Sequence, residues 1–126
     1  MLDIHSNYLL IGTSPKRGRG IFARYDISAG IIIGLTPSWE LSPNDITIIA
    51  SSSIEGFWFD HPDKPGWGLL PLGVAALINY SQNPNSILEW HNSEQGYVGQ
   101  LRSSKDITKG SEIYIDYNII PPNDWV

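Results

Sequence analysis

The sequence predicts a mostly-β domain made of many short strands. Three observations carry that expectation. The 126 residues contain 12 glycines and 9 prolines spread throughout, so elements must be short and turns frequent. Runs of β-branched and aromatic residues recur, each bounded by Gly, Pro, Asn or Ser. Helix-start signals are few. The length suits one compact domain, read here as residues 1–126 with a core of about 8–118 and a tail of 119–126.

In chain order, the strand candidates begin with Tyr8–Ile11, Gly20–Ala23 and Ile31–Leu35. Ser42-Pro43-Asn44-Asp45 then reads as an N-cap, a proline at the first helical position and a carboxylate in the first turn. Ile46–Ala50 supplies one or two turns after it. Phe57–Phe59 and Leu69–Leu72 are further strands, and Val74–Ile78, between Gly73 and Asn79, fits a single helical turn. Ile87–His91 and Tyr97–Arg102 follow. Glu112–Tyr117 alternates, with Ile113, Ile115 and Tyr117 on one face and Glu112, Tyr114 and Asp116 on the other. No internal repeat or low-complexity tract stands out.

Apolar residues make up 41% and aromatics 11%, against 17% charged, a composition that folds. With no cysteine, disulfide staples, thiolate zinc sites and a cysteine nucleophile are excluded. His5, His61 and His91 are widely spaced and share no metal-binding pattern, and no G-x-S-x-G elbow marks a serine hydrolase. The first 20 residues hold no apolar run fit for a signal peptide or a membrane span, so a soluble intracellular protein is expected. Residues 1–39 carry a net charge of +2 and residues 40–126 a net of −7. An acidic body repels nucleic acid and attracts cationic partners, although the same charge also serves plain solubility.

Three segments carry chemistry. Lys16-Arg17-Gly18-Arg19-Gly20-Ile21-Phe22-Ala23 has glycines at i and i+2, which let backbone approach a ligand or simply turn into a strand. It lacks the third glycine and the helix of a dinucleotide fingerprint. Leu77–Asn85 ends an apolar run in a dense group of amides and hydroxyls, which is also what a polar loop looks like. Asn79-Tyr80-Ser81 matches a glycosylation sequon, discounted for a chain expected inside the cell. Asp106–Asn118 turns at Lys109-Gly110 and launches a strand ending in Asp116-Tyr117.

Taken in order, these segments resemble the SET domain of protein-lysine methyltransferases. The family pattern runs G-x-G-x-F-A, I-x-x-G, N-H-S-x-x-P-N and I-x-x-G-E-E-L-x-x-D-Y. Here it reads GRGIFA (18–23), Ile27-Ser28-Ala29-Gly30, NYSQNPN (79–85) and ITKGSEIYIDY (107–117). The likeness is greatest to small stand-alone members, including viral histone-lysine methyltransferases, which lack cysteine-rich flanks. Phe57-Trp58-Phe59 and Leu69–Gly73 loosely resemble their variable insert. The resemblance implies a mainly-β, β-clip fold of several short sheets with a knot-like C-terminal threading.

It also implies methyl transfer from S-adenosylmethionine to a lysine ε-amine, releasing S-adenosylhomocysteine, without metal. A lysine of pKa near 10.4 costs roughly 4–5 kcal/mol to deprotonate at pH 7. A narrow apolar channel and a nearby sulfonium lower that cost, and alignment of nitrogen, methyl and sulfur supplies proximity. Tyr117 falls at the family's catalytic tyrosine, orienting the amine without having to be its base. Asn79 matches the asparagine that binds the amino-acid end of the cofactor, and Arg17, Gly18, Arg19 and Gly20 would present backbone to the same ligand. Tyr80 and Trp125 are expected beside the cofactor, Trp125 over the adenine. Phe57 and Trp58 would wall the substrate channel, where an aromatic face attracts a cation, or else belong to the core. Ile115, where many members carry Phe or Tyr, would leave room for di- or trimethyllysine, or simply pack the core.

Two positions depart from the pattern. Tyr80 replaces the family histidine, which keeps open a second reading: a catalytically weak SET fold that acts as a peptide-binding module. Ser111 replaces the first glutamate of G-E-E, leaving Glu112, a change expected to be minor. The expected partner is a basic, lysine-containing protein, histone-like or otherwise, with no membrane and no direct nucleic-acid contact, and a homodimer is compatible with the small size.

Overall fold

The computed structural model describes residues 7–15 and 17–117. Among these described residues nine strands form three sheets. β1 (Leu9–Gly12) and β2 (Gly20–Ala23) make an antiparallel pair, with Leu9 opposite Ala23 and Gly12 opposite Gly20. The largest sheet has the order β4-β5-β3-β8-β7. Its strands are β3 (Ile32–Leu41), β4 (Phe59–Asp60), β5 (Gly68–Pro71), β7 (Ser86–Ser93) and β8 (Gly96–Ser103), all neighbours antiparallel. β6 (Asn79–Tyr80) and β9 (Tyr114–Ile115) pair in parallel. The core lies between β2, β3, β8 and the 107–115 segment, and its fully buried side chains include Ile21, Ile33, Ile78, Leu101, Ile113 and Ile115.

The helix expected after Ser42 is α1 (Pro43–Ile49), with Pro43 in its first turn. A capping box starts it: Asp45 N donates to Ser42 Oγ (3.1 Å), and Ser42 N donates to Asp45 Oδ2 (2.9 Å). None of its residues is buried. The turn at 74–78 is a 3₁₀ helix, Val74–Leu77. Most strands match their expected places within one or two residues, except that β3 runs on through Pro37 to Leu41.

Two expectations need correction. Phe57–Phe59 is not one strand. Glu55–Phe57 forms a 3₁₀ turn closed by Phe57 N donating to Ile54 O (3.1 Å), and only Phe59–Asp60 joins the sheet. Glu112–Tyr117 is not a continuous ladder either, because the chain changes partner along it. Glu112 bridges to Phe22, and then Tyr114–Ile115 pair with β6. The Asn85 side chain spans the switch: its Nδ2 donates to Glu112 O and its Oδ1 accepts from Tyr114 N, both at 2.9 Å.

A short repeat also escapes notice in the sequence. Asp26-Ile27-Ser28-Ala29-Gly30 and Asp106-Ile107-Thr108-Lys109-Gly110 are the same turn, 80 residues apart, and they clasp each other reciprocally. Ile27 and Ile107 exchange both backbone hydrogen bonds at 2.8 Å. Lys109 N donates to Asp26 Oδ1 (2.8 Å), and Ala29 N donates to Asp106 Oδ1 (2.9 Å). Gly30 N reaches Ser103 O (2.8 Å) as Gly110 N reaches Ala23 O (2.9 Å). Gly30 and Gly110 have φ of 84° and 87°, a region that L side chains avoid.

A Cβ at Gly30 or Gly110 would meet open space, so alanine there introduces backbone strain alone. Gly30→Ala and Gly110→Ala should each lower the unfolding free energy by about 1–2 kcal/mol. Urea titration of the two variants checks this, and unequal losses would show that the two turns are not mechanically equivalent.

Candidate functional site

A cleft of about 550 Å³ opens between the 17–19 turn, the 53–60 segment, the 75–80 segment and Tyr117. Among the described residues it gathers most of the side chains singled out in the sequence: Arg17, Arg19, Phe57, Trp58, Asn79, Tyr80 and Tyr117 all line it. Glu55 and Asp60 line it as well.

Tyr117 sits at the cleft's inner side, two residues past β9. Its hydroxyl donates to the carbonyl of Ile78. Its ring meets Phe59 edge-on, with centroids 5.6 Å apart, and lies tilted against Tyr80 at 5.7 Å. Phe59 in turn packs edge-on against Trp90 at 5.8 Å. Burial pushes the Tyr117 hydroxyl up to about 12, with the nearby Arg17 charge opposing the shift. The group is therefore a neutral phenol at physiological pH. Its proton is committed to the Ile78 carbonyl.

Asn79 is fixed from two sides. Its Nδ2 donates to Arg19 O (2.9 Å) and to Glu112 Oε2 (2.8 Å). Glu112, only 8% exposed, is the hub of the neighbourhood. Its Oε1 accepts from Ser14 Oγ (2.9 Å) and from Tyr114 Oη (3.0 Å). Burial first, and then the Glu112 carboxylate, raise the Tyr114 hydroxyl above its ordinary value.

Each glycine of the pair also has a requirement within the chain. Gly18 has φ of 83°, and both its N–H and C=O are taken by Ser14, at 3.2 and 3.3 Å. It closes the 14–18 turn. At Gly20 a Cβ would collide with the Glu112 carboxylate and stand 3.0 Å from Asn79 Nδ2. The close approach that requires glycine there is to Glu112. Ile115 is 1% exposed, within the core cluster and outside the cleft lining. Trp125 lies outside the described residues. Phe57 is 39% exposed at the rim, and Phe59, not among the site residues expected from the sequence, meets Tyr117 alongside Tyr80.

Sequence reasoning also passed over Glu112 and Ser14. A signal was present for Glu112: a charged residue inside an alternating β-branched strand needs partners if it is buried.

The family model described as SET domain matches residues 18–118. The chain belongs to the SET-domain family. It is 31% identical over 72 residues to N-lysine methyltransferase SMYD2-B of Danio rerio, an overlap covering 57% of this chain. The match spans about 16% of the length of that relative. A solved structure of a candidate histone methyltransferase from Plasmodium falciparum is similar, with 26% identity and a TM-score of 0.74 over 90% of this chain and 96% of that one. A Polycomb repressive complex 2 structure from Chaetomium thermophilum bound to S-adenosylmethionine shares the fold, with 18% identity and a TM-score of 0.76 over 95% of this chain and 16% of that one. The mainly-β architecture of several small sheets is thus that of the SET family. No helix among the described residues is long and apolar enough to cross a membrane.

The buried phenol also makes stability fall with alkali. Tyr117 and Tyr97 are both raised to about 12, Tyr97 chiefly by its hydrogen bond to Asp63. Between about pH 10 and 12 the unfolded chain binds fewer protons than the folded one, so stability present below pH 10 is lost as pH rises. Absorbance titration should show Tyr114 ionising late as well as Tyr97 and Tyr117, and Tyr117→Phe should remove one of these late phenols.

Proposed function

We propose that the protein transfers methyl groups from S-adenosylmethionine to lysine side chains of a basic, histone-like protein. The observation that carries this reading is the meeting of Asn79, Tyr117 and the 17–19 turn around one cleft, inside the stretch matched by the SET model.

The donor set suits the cofactor. Asn79 has an amide oxygen for its ammonium, Arg17 and Arg19 bring positive charge for its carboxylate, and the aromatic and alkyl walls suit adenine. When bound, S-adenosylmethionine supplies an electrophilic methyl carbon on a sulfonium. Tyr117 and the Ile78 carbonyl present acceptor oxygens that orient an incoming amine and favour positive charge at that point. With its pKa raised, Tyr117 is not the group that removes the lysine proton. Desolvation by Phe59, Tyr80 and Trp58 lowers the lysine pKa instead, so that the amine gives up its proton to solvent before it is enclosed. Trp125 is read as the adenine cover.

The acidic 40–126 region, with Glu55 and Asp60 at the cleft, favours a lysine- and arginine-rich substrate. Isoleucine at 115, a position where a phenol would carry a further hydroxyl, is read as permitting products beyond monomethyllysine. Residues 1–126 are read as one SET domain, in a size range where pairing of two copies would help build a peptide groove.

Calorimetry with S-adenosylmethionine, followed by mass spectrometry of a basic single-lysine peptide, tests the reading. Metal-free protein should bind the cofactor, and the peptide should gain two or three methyls at completion. Tyr117→Phe should lower kcat by about a hundredfold or more while leaving cofactor affinity within about threefold. Turnover should fall as salt rises, because attraction between exposed charges is screened. Cofactor and peptide binding without methyl transfer would instead favour the peptide-binding module that Tyr80 leaves open. A fully active Tyr117→Phe would remove that residue from the chemistry.

A further inference from the structure

We infer that Glu112 is a positioning residue that sets the polarity of Asn79, so that the cleft offers an amide oxygen and selects a cationic amine at that point. The inference rests on the cofactor reading above and deepens it.

An asparagine side chain is ambivalent. Turned by 180°, the same amide presents N–H groups to a carboxylate or an oxygen to an ammonium. Here the ambiguity is removed by two groups that can only accept. The Glu112 carboxylate and the Arg19 carbonyl take the two N–H bonds of Asn79, at 2.8 and 2.9 Å. A flipped amide would lose both bonds and set its oxygen against two other oxygens. Asn79 Oδ1, which accepts no hydrogen bond from a described residue, is left as the group for a ligand.

Glu112 is itself held in place. Ser14 Oγ and Tyr114 Oη both donate to Oε1, leaving Oε2 for Asn79. The carboxylate occupies the space that a side chain at residue 20 would need, so Gly20 is what admits it. All three donors are neutral, so they disperse its charge without cancelling it, and a cation beside Asn79 gains from that charge as well.

The test compares two ligands. Calorimetry gives dissociation constants for S-adenosylhomocysteine and for its analogue with the α-amino group replaced by hydrogen. Wild type should prefer the amine by about tenfold or more, the scale of one charge-assisted hydrogen bond. Glu112→Ala should bring the ratio to within about threefold. Glu112→Gln should restore the preference, because its amide oxygen can accept from Asn79 while its NH2 meets two hydroxyls able to turn and accept. If Glu112→Ala does not fold, Gly20→Ala, which displaces the carboxylate from Asn79, should lower the ratio in the same way.

An equal loss for both ligands, with the ratio unchanged, would make Glu112 structural only and overturn the inference while leaving the cofactor reading intact. Failure of wild type to bind either ligand would overturn both.

Discussion

A carboxylate taken out of water is the constraint around which this end of the molecule is arranged. Leaving Glu112 buried without partners would cost several kcal/mol, so its surroundings must supply donors. They come from three separate parts of the chain: Ser14 in the turn before β2, Asn79 in β6 and Tyr114 in β9. None of these segments is long. β6 and β9 are two residues each, and a two-residue parallel pair has little stability of its own. The carboxylate ties them into one unit, and Gly20 is the vacancy that lets it do so.

The clasp between the two Asp-Ile-Ser/Thr-x-Gly turns delivers Glu112 to that position. It pins Ile107 to Ile27 and sends the chain from Gly110 along β2, where Ala23 N and Ile113 N close bonds of 2.9 and 2.7 Å. From there the path to Tyr117 is short and over-determined. Ile113 and Ile115 are sealed in the core, Asn85 brackets residue 113, and β9 adds two rungs. For the proposed methyl transfer such rigid delivery would matter, because misplacing a group at the reacting centre by an ångström costs rate steeply.

Much of this was legible in the residues. The strands were marked by their β-branched runs and bounding turns, and Ser42 to Asp45 announced α1 by its capping chemistry. Tyr117, Asn79 and the 17–19 turn were found from spacing and likeness, and they do share a cleft. Other features depended on long-range partners that local pattern does not carry. Phe57–Phe59 has strand-like residues, yet nothing in three aromatics says that only Phe59 finds a neighbouring strand. Gly20 was expected to face a ligand because glycine signals a close approach, while the identity of the approaching atom, a carboxylate 92 residues later, lies outside any window. The reciprocal turns were visible as a five-residue match, too short to register as a repeat until their hydrogen bonds show them to be mates.

Two of the polar groups that line the cleft, Tyr117 and Asn79, are therefore prepared in a common way. Each has its hydrogens spent inside the protein: the Tyr117 proton on the Ile78 carbonyl, the Asn79 amide protons on Glu112 and Arg19. What remains on each is an oxygen able to accept. A site lined by acceptor oxygens and aromatic rings, with the phenol too weakly acidic to ionise, is poorly suited to binding an anion at that point or to abstracting a proton. It is well suited to a cation whose charge is spread over carbon and nitrogen. Positive charge at Arg17 and Arg19 lies at the same cleft, and the structure thus sets opposite polarities side by side. A zwitterionic ligand bearing an additional positive centre satisfies both polarities at once, whereas a simple anion or a simple amine satisfies only one.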